Sequence, residues 1–203
     1  MKLFISAASP FARKVRVLLL EKQVPFELAV INLWEPNDLQ AINPIGKVPA
    51  LVLDDGRVLT GSALIADWLD ERHPQPRFIP ADAEGRLEVR RTEAIVDGVM
   101  DAGATIGTEL RFHDEAGRSA VFLSRLQGKI DAGLAALERQ LAGRPYLCGE
   151  SLSLADLAAG CHLGFMQARM PQCLKAAAFP GLTRLARELA GRESFKATAP
   201  PPL

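Results

Sequence analysis

Long apolar runs, an excess of either charge, paired cysteines and tyrosine are all scarce in this 203-residue chain. No stretch approaches the roughly 20 apolar residues that a bilayer-spanning helix needs, so no membrane partner is expected. Lysine plus arginine and aspartate plus glutamate stand at 24 each. A chain without a basic excess lacks the broad field that holds nucleic acid. The three cysteines, Cys148, Cys161 and Cys173, are odd in number and lack CxxC spacing. They give neither a metal signature nor a redox pair, and read as buried or half-buried thiols in a reducing cytosol. His73, His113 and His162 show no ligand spacing, so no metal is expected. The opening Met1–Ser6 is charged and then apolar like a signal peptide, but Ser9-Pro10 and Arg13-Lys14 break the run too early.

What is present is a globular composition, 48% hydrophobic and 24% charged. It is long enough for one large domain or two small ones with a real core. The first third alternates element types. Lys2–Ser6 reads as a strand, and Pro10–Lys22 as a helix with Phe11, Val15, Leu18 and Leu19 on one face. Phe26–Val30 reads as a second strand, followed by a short irregular or helical piece. Pro49–Leu53 and Arg57–Thr60 flank Asp54-Asp55-Gly56, a hairpin signal. Ser62 is expected to cap a helix over Ala63–Glu71, with Leu64, Ile65, Trp68 and Leu69 as its buried stripe. This order predicts a mixed four-stranded sheet with a right-handed crossover in its parallel part.

His73–Pro80, punctuated by Pro74, Pro76 and Pro80, reads as a linker at about 72–82 that divides domains 1–78 and 79–203. Beyond it strand signals vanish. Asp82–Phe112, Ser119–Leu141, Leu154–Met170 and Phe179–Leu189 read as helices. Pro200-Pro201-Pro202 reads as a loose tail.

The most informative stretch is Asn43-Pro44-Ile45-Gly46-Lys47-Val48-Pro49-Ala50-Leu51, with Gly61-Ser62 after the hairpin. A proline cannot donate to a sheet ladder, so Pro49 before an apolar run is odd except at a strand's start. It leaves Val48 extended, its own backbone groups free to pair with a peptide-like ligand as an added strand. Ser62 at a helix start adds an anion-binding corner.

These motifs, with Ser9-Pro10-Phe11 opening the first helix and the Ser153-x-x-Asp156 capping box, resemble cytosolic glutathione S-transferases from Lys2 to about Phe195. The likeness is to small bacterial members of unassigned class, with some zeta and omega character. The resemblance implies a thioredoxin-like N-terminal domain, α/β in class, followed by an all-helical domain, with a cis Val48-Pro49 peptide. It implies glutathione as co-substrate, Val48 pairing with its cysteinyl part, Ser62 holding the γ-glutamyl carboxylate and Lys47 near the glycyl end. It further implies a cytoplasmic detoxifying transferase, a homodimer, and a small electrophile bound between the domains in a largely apolar pocket. Asp97 and Asp101, one helical turn apart, are candidate second-domain contacts to glutathione, against the alternative of a solvated face. Trp34 either roofs the pocket or packs its loop.

Ser9 carries two readings. Serine before a proline at the first helical position is an ordinary helix cap. As the activator, its hydroxyl would stabilise the glutathione thiolate. Lowering a thiol pKa by about two units requires ~2.7 kcal/mol of preference for the anion. A hydrogen bond to a charged atom supplies roughly 1.5–3 kcal/mol and the helix terminus about 0.3–1 kcal/mol. The chain departs from the family elsewhere. Tyrosine-type members carry a tyrosine near the end of the first strand, where Ile5 stands, and the one tyrosine is Tyr146. Serine in place of the omega-type cysteine disfavours mixed-disulfide chemistry. Gly61 replaces a residue that is commonly acidic or amide, removing one ligand near the γ-glutamyl amine. The alternatives are a glutathione-dependent peroxidase or isomerase, or a non-catalytic binding protein.

Overall fold

The apolar positions of the first third gather into a four-stranded sheet in a computed structural model that describes residues 1–200. Strands β1 (Lys2–Ile5), β2 (Glu27–Val30), β3 (Ala50–Val52) and β4 (Val58–Thr60) lie in the order β2-β1-β3-β4. β1 runs parallel to β2, with Ile5 opposite Val30, and antiparallel to β3, with Leu3 opposite Leu51. β3 and β4 form the expected hairpin. Its turn is closed by Gly56 at φ 84° and by Asp55, whose carboxylate accepts the Arg57 N–H at 3.0 Å. Pro201 and Pro202, in the expected tail, lie outside the described residues.

Helix α1 (Pro10–Glu21) crosses between the parallel strands, and the four-residue α2 (Leu39–Ile42) fills the stretch before the Asn43 motif. Helix α3 (Ser62–Arg72) follows the hairpin. Ile65 and Leu69 are buried in it as expected, but Leu64 is 53% exposed and Trp68 only half-buried, so the apolar stripe is narrower than the sequence suggests. Ser62 does not cap α3. Gly61 holds the cap position, and Ser62 is the first helical residue.

Beyond Pro80 the chain is helical. α4 (Ala83–Phe112) is capped by Asp82, whose carboxylate accepts the Gly85 N–H at 2.7 Å. α5 (Ala120–Leu141) and α6 (Leu154–Arg169) pack against it, the short α7 (Pro171–Leu174) follows, and α8 (Pro180–Ala190) and α9 (Glu193–Lys196) close the unit. α6 opens on the capping box, in which Asp156 accepts the Ser153 N–H at 2.9 Å and the Leu147 N–H at 2.7 Å. Cys161 and Cys173 are buried and Cys148 half-buried, all as free thiols.

A buried ion pair fixes the linker. Lys22 Nζ lies 2.8 Å from Asp70 Oδ1 and donates to the carbonyls of His73 and Pro76 at 2.7 and 2.6 Å. The Asp70 carboxylate in turn accepts the N–H groups of Phe78 and Ile79 at 2.9 and 3.1 Å. One carboxylate thus serves a buried cation and two backbone donors at the point where sheet gives way to helices. Removing it strands all three. Asp70→Ala is expected to lower unfolding free energy by about 3–5 kcal/mol in urea titration, and a loss below ~1 kcal/mol would contradict this role.

Candidate functional site

At the start of β3 the chain turns through a cis Val48-Pro49 bond, as the family resemblance implies. Asn43 is buried and braces the loop before it. Its Nδ2 donates to the Lys47 carbonyl at 2.7 Å, and its own carbonyl accepts the Gly46 N–H at 2.8 Å. Gly46 sits at φ 62°, a left-handed conformation that costs glycine little. Among the described residues the Val48 N–H and C=O have no hydrogen-bond partner. Ladder pairing begins only at Ala50. Val48 is therefore an open backbone edge.

That edge borders a cleft of about 380 Å³ lined by Phe11, Asn43, Ile45, Lys47, Val48, Pro49, Thr60, Gly61, Ser62 and Asp101. The N-terminus of α3 opens into it. A glycine cap offers no side-chain acceptor, so the first N–H groups of α3 are available to an anion. The Ser62 hydroxyl stands beside them with no partner among the described residues. Gly61 has φ 84°, where an L side chain would be strained, which gives a backbone reason for glycine at this position.

The second-domain carboxylates separate. Asp101 lines the cleft, while Asp97, one turn earlier, is turned to a buried cation rather than to a solvated face. Lys14 of α1 is fully buried, and its Nζ lies 2.8 Å from Glu93 Oε1 and 2.8 Å from Asp97 Oδ2. Glu93 also pairs with Arg90, which reaches Asp67 and the Ala63 carbonyl at the start of α3. This network joins α1, α3 and α4. Burial, and then the neighbouring Asp97 charge, raises the Asp101 pKa, opposed by Lys47 and Lys14.

His162 of α6 completes the buried cluster. Its Nδ1 lies 3.4 Å from the Val96 carbonyl, and its ring packs against Phe11 with centroids 5.0 Å apart. Burial, reinforced by Lys14, pushes its pKa down to about 3. It is neutral at physiological pH, so Asp97 Oδ1 at 3.7 Å is a neighbour and not an ion-pair partner.

Ser9 is the N-cap of α1, its Oγ accepting the Ala12 N–H at 3.2 Å. Accepting that bond leaves the hydroxyl proton free to donate. Ser9 is not among the cleft-lining residues, lying two residues before Phe11, which is. Trp34, in the loop after β2, does more than pack its own loop. Its ring lies 5.0 Å from that of Phe112 at the far end of α4, with the Arg111 guanidinium over it at 4.9 Å.

Lys14, Glu93 and His162 were not picked out from the sequence. Lys14 lies three residues after Phe11 and four before Leu18, a cation on the apolar face of α1. Glu93, Asp97 and Asp101 fall at four-residue spacing on α4. Those two patterns were the available signal.

The family models for the glutathione S-transferase N-terminal and C-terminal domains match residues 3–77 and 91–188. The uncharacterized GST-like protein YibF of Escherichia coli K12 is 35% identical over 202 residues, covering 99% of each chain. A glutathione S-transferase from Methylobacterium radiotolerans, crystallised with glutathione sulfonate, superposes with a TM-score of 0.92 at 40% identity, covering 98% of this chain and 94% of that one. The maleylacetoacetate isomerase of Pseudomonas aeruginosa is 31% identical over 168 residues, 77% of each chain. The chain belongs to the glutathione S-transferase family, with a thioredoxin-like first domain and a helical second. Membership carries glutathione as co-substrate and transferase chemistry. Among the described residues, no helix is long and apolar enough to cross a membrane.

The buried histidine predicts an acid sensitivity. Its folded pKa of about 3 lies below the ordinary 6.5, so as pH falls through that window the unfolded chain takes a proton that the native chain refuses. Stability is then lost from pH 6.5 downward, by about 2 kcal/mol at pH 5. His162→Gln removes this component, so urea titrations at the two pH values should show a smaller acid loss in the variant. Equal losses would contradict it.

Proposed function

We propose that the cleft binds glutathione as an added strand on Val48, activates its thiol through Ser9 and transfers it to a small electrophile. The observation that carries this reading is the unpaired Val48 backbone beside the open N-terminus of α3. A tripeptide with a γ-glutamyl carboxylate fits both. Its cysteinyl N–H and C=O take the Val48 groups in antiparallel fashion, and its carboxylate takes the Ser62 hydroxyl and the helix N–H groups. Lys47 supports the glycyl carboxylate, and Asp101, on the opposite wall, faces the γ-glutamyl ammonium. Asp97 acts one step removed, through Lys14.

Ser9 donates its hydroxyl proton in a hydrogen bond to the sulfur, and the N-terminus of α1 adds its dipole. The thiol proton passes to solvent, the sulfur lone pair attacks the electrophile, and a leaving group departs or a double bond is added across. No covalent bond to the protein forms. The protein contributes thiolate formation and positioning. Cytoplasmic detoxification by a homodimer, the first domain of one copy packed on the second of the other, completes this reading. The likeness to an isomerase favours one variation, in which glutathione adds to a cis double bond and leaves after rotation. Turnover of a cis-enone dicarbonyl acid without net glutathione consumption would identify it.

Two substitutions separate binding from activation. Ser62→Ala is expected to weaken glutathione binding about tenfold by calorimetry. Ser9→Ala should leave that affinity nearly intact and raise the bound thiol pKa by about 1–2 units, followed by thiolate absorbance against pH. Unchanged thiol pKa and turnover in Ser9→Ala would sink its role as activator.

A further inference from the structure

The glutathione cleft occupies one end of the sheet, and a second cavity opens at the other. β1 runs parallel to β2 and antiparallel to β3, so the starts of β1 and β2 and the end of β3 lie away from Val48. A cavity of about 520 Å³ lies there, within the roughly 300–1,000 Å³ of small-molecule sites. Val24, Pro25 and Leu53 give it an apolar lining. The hairpin turn adds Asp54, Asp55 and Arg57, and the C-terminal end of α3 adds Trp68, Arg72 and His73. One helix thus carries Ser62 to the cleft and Arg72 to this cavity.

The charges of the turn are already matched. Asp54 accepts from the Met1 ammonium at 2.6 Å, and Asp55 lies 2.7 Å from the Arg57 guanidinium. Arg72 is exposed and, among the described residues, has neither an ion-pair nor a hydrogen-bond partner. Its guanidinium fork matches a carboxylate in two parallel hydrogen bonds. Helical spacing predicts Trp68 as core, whereas the residue is half-buried and lines this cavity. The Trp68 indole N–H and the His73 imidazole have no hydrogen-bond partner among the described residues. Their rings meet edge-on with centroids 6.2 Å apart. Burial, and then the charges of Lys22 and Arg72, lower the His73 pKa, so the ring is neutral and keeps one N–H to donate. A free cation and two ring donors beside an aromatic and aliphatic surface call for an anion with a flat apolar body.

We propose that this cavity is a second ligand site, separate from the glutathione cleft, and that it takes a small aromatic carboxylate of one or two rings. The carboxylate pairs with Arg72 and accepts from the ring N–H groups of Trp68 and His73. The rings lie against the Trp68 indole and the Val24, Pro25 and Leu53 side chains. No bond is made or broken there. The inference stands whether or not the cleft takes glutathione.

The test is calorimetry of the full chain with 2-naphthoate and its uncharged amide, 2-naphthamide, with and without excess glutathione. Wild type is expected to bind the naphthoate under both conditions, about 5- to 10-fold more tightly than the amide. Arg72→Gln should abolish that preference and leave binding of the amide unchanged. With Trp34→Phe, Trp68 is the one remaining tryptophan, and the naphthoate should quench its fluorescence over the same concentration range. Equal naphthoate binding by Arg72→Gln is the result for a cation that merely complements the end of α3, and it would overturn the proposal. Absence of naphthoate binding at millimolar concentration, or its displacement by glutathione, would overturn it equally.

Discussion

A lysine with no exposed surface, held between two carboxylates of another domain, is the constraint on which the arrangement depends. Burying an ammonium costs several kcal/mol unless its charge is met at close range. Lys14 meets that condition only with α1 against α4, where Glu93 and Asp97 each lie 2.8 Å from its Nζ. The same contact sets the relative position of the helices that border the cleft. Ser9 caps α1 five residues before Lys14, Phe11 lies three residues before it, and Asp101 lies one turn beyond Asp97 on α4. Arg90 extends the network to the start of α3, beside Ser62. The cleft walls come from two domains, and one ion cluster keeps them in register.

Within that frame the two halves of the site differ in how they are built. The binding edge is backbone: Val48 with no partner, and the first N–H groups of α3 behind a glycine cap. Such an edge suits peptide geometry and negative charge. Gly61 shows the compromise. Its φ of 84° suits glycine, which leaves no side chain at this point of the cleft. Asp101 brings a carboxylate to the cleft from the opposite wall. The far end, by contrast, is made of side chains. Ser9 caps α1 there, and the rings of Trp34 and Phe112 meet across the domains with the Arg111 guanidinium over that of Trp34.

Much of this was legible in the residues. The strand–helix–strand–hairpin order and the Asn43–Leu51 motif pointed to the sheet and the open edge. Helix ends were legible where a capping residue marks them, as with Ser9, Asp82 and Ser153. Ser62 misled because a serine at the first helical position looks like a cap, whereas a glycine's backbone conformation does not show in a propensity. Leu64 misled because helical spacing defines a face but not how much of it the neighbouring layer covers. Lys14 and His162 were missed for a related reason. A buried polar group is recognisable only with its partners, and those of Lys14 come from α4, about 80 residues away. The Trp34–Phe112 contact likewise joins distant segments through the domain packing that Lys14 fixes.

The central claim is that glutathione docks on the Val48 edge with its sulfur delivered to Ser9. A crystal structure of the full chain soaked with glutathione tests it most directly. The account predicts paired hydrogen bonds between the cysteinyl backbone and Val48, the γ-glutamyl carboxylate on Ser62, and the sulfur within hydrogen-bonding distance of Ser9 Oγ. A tripeptide bound elsewhere, or bound on Val48 with its sulfur turned away from Ser9, would contradict it.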